Sequence, residues 1–210
     1  MKSQLLLIGA GGHCQSVIDV VEATQQYEII GIIDRAYKLG ETVSGYKIVG
    51  TDDQLRQWAR PEVYFLITVG QIKDSSVRHR LYEKVQQVGG TLATVISPRA
   101  YVSSRAAVGA GSVVMHDALI NAYARVGENT IINTKALVEH GSQIGSHCHV
   151  ATGAVINGDC RVESHTMVGS QATIVQGVSV GEQIVVGAGA VVTRTITEPG
   201  VYVGIPARRR

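Results

Sequence analysis

Residues 138–162, VEHGSQIGSHCHVATGAVINGDCRV, place Val or Ile at every sixth position, beginning at Val138. The period extends in both directions without an insertion, and all seventeen positions from Ile96 to Val192 are Val or Ile. Small residues such as Ala, Ser, Thr and Cys stand four positions further on in most units. Gly or Asn often follows the branched residue directly, as at Gly127 and Asn133, and we expect a positive φ at those turns.

This period identifies the second part of the chain as a parallel β-helix. Each six-residue unit forms a short strand and a turn, and three units close one triangular coil of eighteen residues. The Val or Ile side chain points inward, and the small residue four positions later fills an inward corner of the coil. Residues eighteen positions apart therefore stack on adjacent coils.

Residues 4–97 show another pattern, in which short apolar runs alternate with helical periods. The apolar runs are QLLLIG, YEIIGIID, VYFLITVG and TLATVIS, and helical spacing occurs in HCQSVIDVVEAT and DSSVRHRLYEKVQQVG. This alternation predicts a small Rossmann-like α/β domain with a parallel sheet over residues 1–97. Pro98 marks the predicted boundary, and the β-helix occupies residues 98–210. A short strand at 46–49 and a helix near 52–59 are also predicted.

Composition argues against several classes of protein. A formal net charge of +2, with one Trp and one Phe, gives no reason to expect a nucleic-acid partner. No apolar run approaches the length of about 20 residues that spans a bilayer, so we expect no membrane insertion and a cytoplasmic protein. The three cysteines have no CxxC spacing, which indicates neither a disulfide framework nor a zinc site, and no metal is expected.

The register assigns most of the reactive side chains to structural positions. Cys148 and Cys160 fall in the inward corner, where we expect buried thiols that only pack. His147 and His165 are eighteen residues apart and stack in one column, which also holds Asn129. We expect this column to be a polar ladder that faces solvent.

His140 stands in a different environment. The residues equivalent to it on the neighbouring coils are Ala122 and Gly158, which have almost no side chain. A histidine between them projects over an open groove with room for a substrate or a long, thin cofactor. Because histidine is the natural general base near neutral pH, His140 is the candidate catalytic base. A surface histidine without a function is the alternative that spacing alone leaves open.

Motifs along nearly the whole chain resemble a known family. IGAGGH near the start, IID and VG at the ends of the second and third apolar runs, residues 138–162 and the final GVYVGIPARR are similar to bacterial sugar acetyltransferases of the hexapeptide-repeat superfamily. This family includes UDP-4-amino-sugar N-acetyltransferases and sialic acid O-acetyltransferases. The resemblance implies a left-handed β-helix, acetyl-CoA as co-substrate, and a homotrimer with the acetyl-CoA groove between neighbouring chains.

The resemblance also implies roles for individual residues. His140 takes the role of catalytic base for direct attack on the thioester, with Glu139 as the candidate that orients its ring. The implied cofactor-binding positions are His149, which lies beside the thioester, and Gly158, Ser170 and Ala188. Relatives often carry an acid directly after the base, whereas this chain has Gly141.

The glycine turn after the first apolar run is a candidate phosphate site. Gly9 and Gly11 allow the main chain to approach a phosphate, which the N-terminus of the next helix attracts. The nucleotide-sugar site implied by the resemblance consists of Gly9, Gly11, Gly12, His13, Asp34, Gly70 and Gln71. An NAD site is a rival, since Asp34 lies at about the distance of a ribose-binding acid. Against NAD, Cys14 replaces the third glycine of GxGxxG, and about four strands are too few for a full dinucleotide fold.

The sequence therefore predicts an acetyl-CoA-dependent N-acetyltransferase that acts on a nucleotide-linked 4-amino-4,6-dideoxy sugar in bacterial surface-glycan biosynthesis. O-acetylation of sialic acid or another sugar is the main alternative, and a non-catalytic nucleotide-sugar-binding protein is a remote one. A zinc hydratase built on the same β-helix is disfavoured by the spacing of the histidines. The terminal arginines 208–210 are either a contact for the 3′-phosphate of coenzyme A or a solvated end.

Overall fold

The computed structural model describes residues 2–210. Residues 3–92 form a six-stranded sheet with helices. Its strands are β1 (Ser3–Ile8), β2 (Tyr27–Ile33), β3 (Thr42–Val43), β4 (Tyr46–Gly50), β5 (Val63–Ile67) and β6 (Thr91–Leu92). The helices are α1 (Gly12–Thr24), α2 (Leu55–Trp58) and α3 (Ser76–Gln87), with 3-10 turns at Ala36–Lys38 and Asp52–Gln54. The strand order is β3-β4-β2-β1-β5-β6, and only the β3–β4 pair is antiparallel.

The predicted α/β domain is confirmed, with differences at its less regular segments. The predicted helix near 52–59 begins with a 3-10 turn, and Thr51 forms the capping box with Gln54. The run TLATVIS is split, because Thr91–Leu92 completes the sheet whereas Val95–Ile96 already pairs with Val113–Val114 of the β-helix. The first coil thus begins before the predicted boundary at Pro98.

The β-helix has three flat faces of parallel strands in which residues pair with those eighteen positions later. The first face departs from this at its C-terminal end, where Ile184–Val186 pairs with residues sixteen positions later and Arg208–Arg209 pairs antiparallel with Gly200–Val203. The first face contains Val95–Ile96, Val113–Val114, Ile131–Ile132, His149–Val150, Met167–Val168, Ile184–Val186, Gly200–Val203 and Arg208–Arg209. The second face contains Tyr101–Val102, Leu119–Ile120, Leu137–Val138, Val155–Ile156, Thr173–Ile174 and Val191–Val192. The third face contains Ala107–Val108, Arg125–Val126, Gln143–Ile144, Arg161–Val162 and Ser179–Val180.

The core of the β-helix follows the sequence period. Every sixth residue from Val114 to Val192 is less than 5% exposed, and the small corner residues Cys148 and Cys160 are buried as predicted. Hydroxyl groups at other inward corners donate to main-chain carbonyls fifteen residues later, as Ser142 does to Asn157 at 2.7 Å. The corners therefore bury polar side chains without leaving them unpaired.

The position of the left-handed turn residue was predicted wrongly. Positive φ occurs three residues after the branched residue, as at Gly141 (φ +69°) and Asp159 (φ +58°), and not directly after it. Glycine follows the branched residue at several units for another reason. A Cβ built at Gly127 would lie 2.6 Å from main-chain atoms of the next coil, at Gly145 and Ser146.

The two parts of the chain share one hydrophobic core. Leu5 and Leu7 of β1 and the buried face of α1 pack with outward-facing residues of the first face, including Val113 and Ile131. The opposite side of the sheet packs against α2 and α3. The N-terminal sheet therefore covers the first face of the β-helix. None of the helices within residues 2–210 is long and apolar enough to cross a membrane.

Candidate active site

His140 lies in the corner between the second and third faces. Its side chain is 56% exposed, and its ring lies over Gly158 of the next coil. A Cβ built at Gly158 would lie 2.6 Å from Cε1 and 2.7 Å from Nε2 of the ring. The predicted juxtaposition of His140 and Gly158 is thus present, because only glycine leaves space for the imidazole there.

Glu139 holds the ring of His140 from one side. Its Oε2 lies 3.2 Å from Nδ1 of His140 and accepts a hydrogen bond from the His140 main-chain N–H at 3.1 Å. These two hydrogen bonds, followed by one from Asn121, lower the pKa of Glu139. A carboxylate only accepts, so Nδ1 of His140 carries the proton and Nε2 keeps its lone pair.

Asn121 was not identified from the sequence. It stands eighteen residues before Glu139, and its Nδ2 donates to Oε2 of Glu139 at 2.8 Å, while its Oδ1 accepts from the Ala122 N–H. The spacing of eighteen was the available signal. Asn121, Glu139 and His140 thus form a hydrogen-bonded series along the edge of the second face.

The glycine turn connects β1 to α1. Gly9 has φ +109°, and a Cβ there would collide with Val69 on the adjacent loop. Gly11 and Gly12 have nothing within 4 Å of an added Cβ, and Gly11 makes no side-chain cap at the start of α1. The first N–H groups of the helix are therefore open to an anion.

Asp34 follows β2 and contacts the same turn. Its carboxylate accepts hydrogen bonds from the main-chain N–H groups of Ala10 and Arg35, both at 2.6 Å. Burial is the largest single influence and raises the pKa of Asp34, but the two main-chain N–H groups and Lys38 outweigh it, so the pKa is lowered. Asp34 is a fixed anion that shapes the turn.

His13, Gly70 and Gln71 lie with His149 where the N-terminal sheet meets the first face. Nδ1 of His149 donates to the Gln71 carbonyl at 2.6 Å, and Nε2 accepts from Asn133 at 3.1 Å. Both ring nitrogens of His149 are thus engaged. Within residues 2–210, Nε2 of His13 and both amide atoms of Gln71 are buried and have no hydrogen-bond partner. Burial, followed by the charge of Arg78 and the proximity of His149, lowers the pKa of His13 to about 3.

The remaining predicted cofactor residues lie at another corner. Ser170 and Ala188 stand one coil apart in the corner between the first and second faces, and both are exposed. In a triangular coil, the corner with His140 is opposite the first face, which the N-terminal sheet covers. A single chain therefore does not bring the glycine turn and His140 together.

The column of His147 and His165 is not the solvent-facing ladder that the sequence predicted. His147 is 7% exposed, because helix α3 packs over this corner. The rings of His147 and His165 stack with centroids 4.9 Å apart, and the ring of His79 meets both edge-on at 4.5 and 5.1 Å. Spacing located the column but could not indicate what covers it.

Arg78 anchors α3 at the same corner. Its side chain is 1% exposed, and Nη2 donates to Oδ1 of Asn129 at 2.7 Å. Nη1 donates to the carbonyls of Ile67 and Val69, at 2.9 and 2.6 Å. Burial lowers the pKa of Arg78 to about 9. This guanidinium thus connects the loop after β5, which carries Gly70 and Gln71, to the β-helix.

Comparison with known proteins matches both parts of the chain. Residues 4–85 match the model of the PglD N-terminal domain. Residues 123–158 match the bacterial transferase hexapeptide (six repeats), and residues 160–194 match the hexapeptide repeat of succinyl-transferase. UDP-N-acetylbacillosamine N-acetyltransferase of Bacillus subtilis (strain 168) is 34% identical over 113 residues, which are 52% of this chain and 50% of that protein. The chain thus aligns with about half the length of this curated relative.

Solved structures match over the whole chain. The acetyltransferase domain of PglB from Neisseria gonorrhoeae FA1090 is 30% identical with a TM-score of 0.92, and the match covers 100% of both chains. PerB from Caulobacter crescentus, solved in complex with CoA and GDP-perosamine, is 31% identical with a TM-score of 0.90 over 99% of this chain and 97% of that one. With its glycine turn, its six-residue repeat and these relatives, the chain belongs to the hexapeptide-repeat sugar acetyltransferases that carry a PglD N-terminal domain.

Proposed function

We propose that the protein transfers the acetyl group of acetyl-CoA to the amino group of a nucleotide-linked 4-amino-4,6-dideoxy sugar in the cytoplasm. The observation that carries this proposal is the exposed ring of His140, which Glu139 holds over Gly158 with Nε2 unbonded. A relative named as a UDP-N-acetylbacillosamine N-acetyltransferase and the PerB complex with CoA and GDP-perosamine support the choice of substrates.

The proposed reaction needs one base. As the neutral amine attacks the thioester carbon, the new C–N bond forms and one N–H proton passes to Nε2 of His140. When the C–S bond breaks, the imidazolium returns this proton to the sulfur of coenzyme A. A positioned base contributes roughly 10²–10⁴-fold to such a step, and the charge on Glu139 stabilises the transient imidazolium.

Direct attack agrees with the state of the thiols. Cys148 is fully buried, and burial raises its pKa to about 12, so it remains a thiol at neutral pH. Cys14 and Cys160 are buried as well, and burial raises their pKa values. A thiol rather than a thiolate is a poor nucleophile, so an acetyl-cysteine intermediate is not part of the proposed mechanism.

The proposed nucleotide site is the glycine turn. The open N–H groups at the start of α1 suit the diphosphate, and the carboxylate of Asp34 suits a ribose hydroxyl. Gly9, Gly11 and Gly12 keep the turn free of side chains, while His13, Gly70 and Gln71 supply its far wall next to His149.

A second copy is needed to complete this site, and we propose a homotrimer that packs through the second face. The outward residues of this face are mostly apolar and partly exposed: Tyr101, Leu119, Leu137, Val155, Thr173 and Val191. The corresponding residues of the third face are Ala107, Arg125, Gln143, Arg161 and Ser179, which are more polar. The second face also separates the corner of His140 and Gly158 from the corner of Ser170 and Ala188. Acetyl-CoA bound between neighbouring copies would contact both kinds of corner.

Release of free coenzyme A from acetyl-CoA tests the proposed function. The purified protein is incubated with UDP- and GDP-linked 4-amino-4,6-dideoxy sugars, with their 4-hydroxy counterparts, and with free sialic acid. We expect turnover with a nucleotide-linked amino sugar, and an amide product by mass spectrometry. Turnover with sialic acid alone would show that the protein is an O-acetyltransferase rather than an N-acetyltransferase. No turnover with any acceptor would favour a binding protein.

A further inference from the structure

Asp159 lies one coil above Gly141, directly beside the His140 corner. Its carboxylate leans over Gly141, so that a Cβ at position 141 would collide with Oδ1 of Asp159. On the other side, Gly177 leaves open space, with nothing within 4 Å of an added Cβ. The carboxylate therefore leans toward the coil of His140 although space is also open on the far side.

The side chain of His140 leans in the opposite direction. Its ring covers Gly158, the residue before Asp159, while the carboxylate of Asp159 covers Gly141, the residue after His140. The Asp159 N–H donates to the His140 carbonyl at 2.9 Å, which holds the two corners in register. The base and the carboxylate thus cross between adjacent coils and border the same part of the exposed corner.

No residue in the described chain, 2–210, forms a hydrogen bond or ion pair with the Asp159 side chain. His140 and Asp159 are not hydrogen-bonded to each other either, and Nδ1 of His140 is already taken by Glu139. An anion at the corner that carries the base, without a cation of its own in the chain, suits a positively charged group of the acceptor. Charge-assisted hydrogen bonds of this kind are about twice as strong as neutral ones.

We propose that the Asp159 carboxylate binds the ammonium form of the acceptor amine and thereby selects amino over hydroxyl acceptors. This inference rests on the proposed function. Primary amines are largely protonated near neutral pH. The bound ammonium first releases one proton to water, and the neutral amine then attacks the thioester and gives its second proton to His140. Because the carboxylate favours the charged amine, its contribution falls on binding and KM rather than on kcat.

A purely conformational role for Asp159 makes a different prediction. Its φ of +58° is a region that Asp and Asn tolerate better than most residues. Asp159→Asn keeps this preference and nearly the same shape, and removes only the charge. If the residue serves the turn alone, the variant will bind every acceptor as the wild type does.

The proposal is tested by a thermodynamic cycle that compares two proteins, each with two ligands. Binding of a GDP- or UDP-linked 4-amino sugar and of its 4-hydroxy counterpart is measured by calorimetry with coenzyme A present, for wild type and Asp159→Asn. We expect the variant to lose about three- to fivefold in affinity for the amino ligand and less than twofold for the hydroxy ligand. Glu182→Gln, an equal change of charge at a distant exposed corner, should leave both affinities unchanged.

Equal affinities of wild type and Asp159→Asn for the amino ligand, or equal losses for both ligands, would overturn the inference. Kinetics separates this outcome from failure of the proposed function. If the wild type turns over the amino sugar and KM is unchanged in Asp159→Asn, only the proposed role of Asp159 is refuted. If the wild type neither binds nor turns over the amino sugar, both proposals are refuted. Asp159→Glu, which retains the charge, should have a KM between those of the wild type and Asp159→Asn.

Discussion

The ring of His140 is defined by neighbours on three coils. Asn121 from the coil below fixes Glu139, Glu139 fixes Nδ1 of His140, and Gly158 from the coil above leaves the space that the ring occupies. The result is an imidazole with its proton on Nδ1 and an accepting Nε2 at an exposed corner. The Asn121–Glu139 and His140–Gly158 contacts each join residues eighteen apart in sequence, as the period of the coil requires.

Glu139→Gln should impair the base without unfolding the protein. The amide removes the negative charge that stabilises imidazolium, so we expect kcat to fall by about tenfold or more. The kcat of coenzyme A release is measured for both proteins, and an unchanged kcat in Glu139→Gln would show that Glu139 does not act on His140.

Gly158→Ala tests the space under the ring. The added methyl group would overlap Cε1 and Nε2 of His140, so the ring must move, and we expect activity to fall by about tenfold or more while the melting temperature changes little. In a His140→Ala background the same change should cost nothing further, since the two effects share one ring. Additive losses in the double variant would contradict this explanation.

At the scale of elements, helix α3 connects the N-terminal sheet to the β-helix through buried polar groups. Arg78, Asn129 and the rings of His79, His147 and His165 meet at one corner, with Tyr82, Glu83, Glu128 and Glu182 around them. The Ser75 hydroxyl also forms a hydrogen bond with Nδ1 of His165, with 2.8 Å between Oγ and Nδ1. Burial, followed by the proximity of His79, His165 and Arg78, lowers the pKa of His147 to about 4.

This corner should make the protein less stable in acid. The folded-state pKa of His147, about 4, is lower than the value of about 6.5 in an unfolded chain. Between these values the unfolded chain binds more protons, so stability is full above about pH 6.5 and falls as the pH drops toward 4. We expect a loss on the order of 1–3 kcal/mol over this window, measured by urea unfolding at a series of pH values.

His147→Gln is the matching variant for this prediction. It removes one titrating group and should reduce the slope of stability against pH between about 6.5 and 4, while His13, His149 and His165, whose pKa values are also lowered, maintain a residual slope. An unchanged slope would mean that His147 is protonated in the folded protein as easily as in the unfolded one.

At the scale of the whole molecule, the repeat made the β-helix predictable to the residue. A strict period of six determines which side chain points inward, which corner is small and which residues stack, so Cys148, Cys160 and the pair His140–Gly158 were located correctly. The period does not reveal the backbone conformation within each turn, and the positive φ was therefore expected two residues too early.

Contacts between distant segments could not be predicted from the period. His147 and His165 were expected in solvent because nothing in their spacing shows that α3 covers them. Asn121 was missed because an Asn in a turn looks structural until Glu139 is seen to accept its hydrogen bond. The separation of the glycine turn from His140 depends on which face of the β-helix the N-terminal sheet covers. Packing of apolar residues, such as Leu5 against Val113, determines which face is covered.

Packing of copies through the second face predicts a clear response to charge. Leu137→Arg places a cation in the centre of the proposed interface, where burial without a partner is costly, and should convert the trimer to monomers and abolish turnover. Ser179→Arg on the third face is the matched control and should remain trimeric. Sedimentation equilibrium distinguishes the two results, and a wild type that is an active monomer would refute the trimer.

If Nε2 of His140 accepts the amine proton during acetyl transfer, removal of the ring must slow the reaction, and the rate of coenzyme A release by His140→Ala measures this effect. The rate is measured with saturating acetyl-CoA and the best acceptor of the wild type, alongside circular dichroism and sedimentation to show that fold and assembly are retained. We expect a loss of kcat of about 10²-fold or more in an otherwise intact protein. A His140→Ala enzyme within threefold of the wild-type kcat would contradict it.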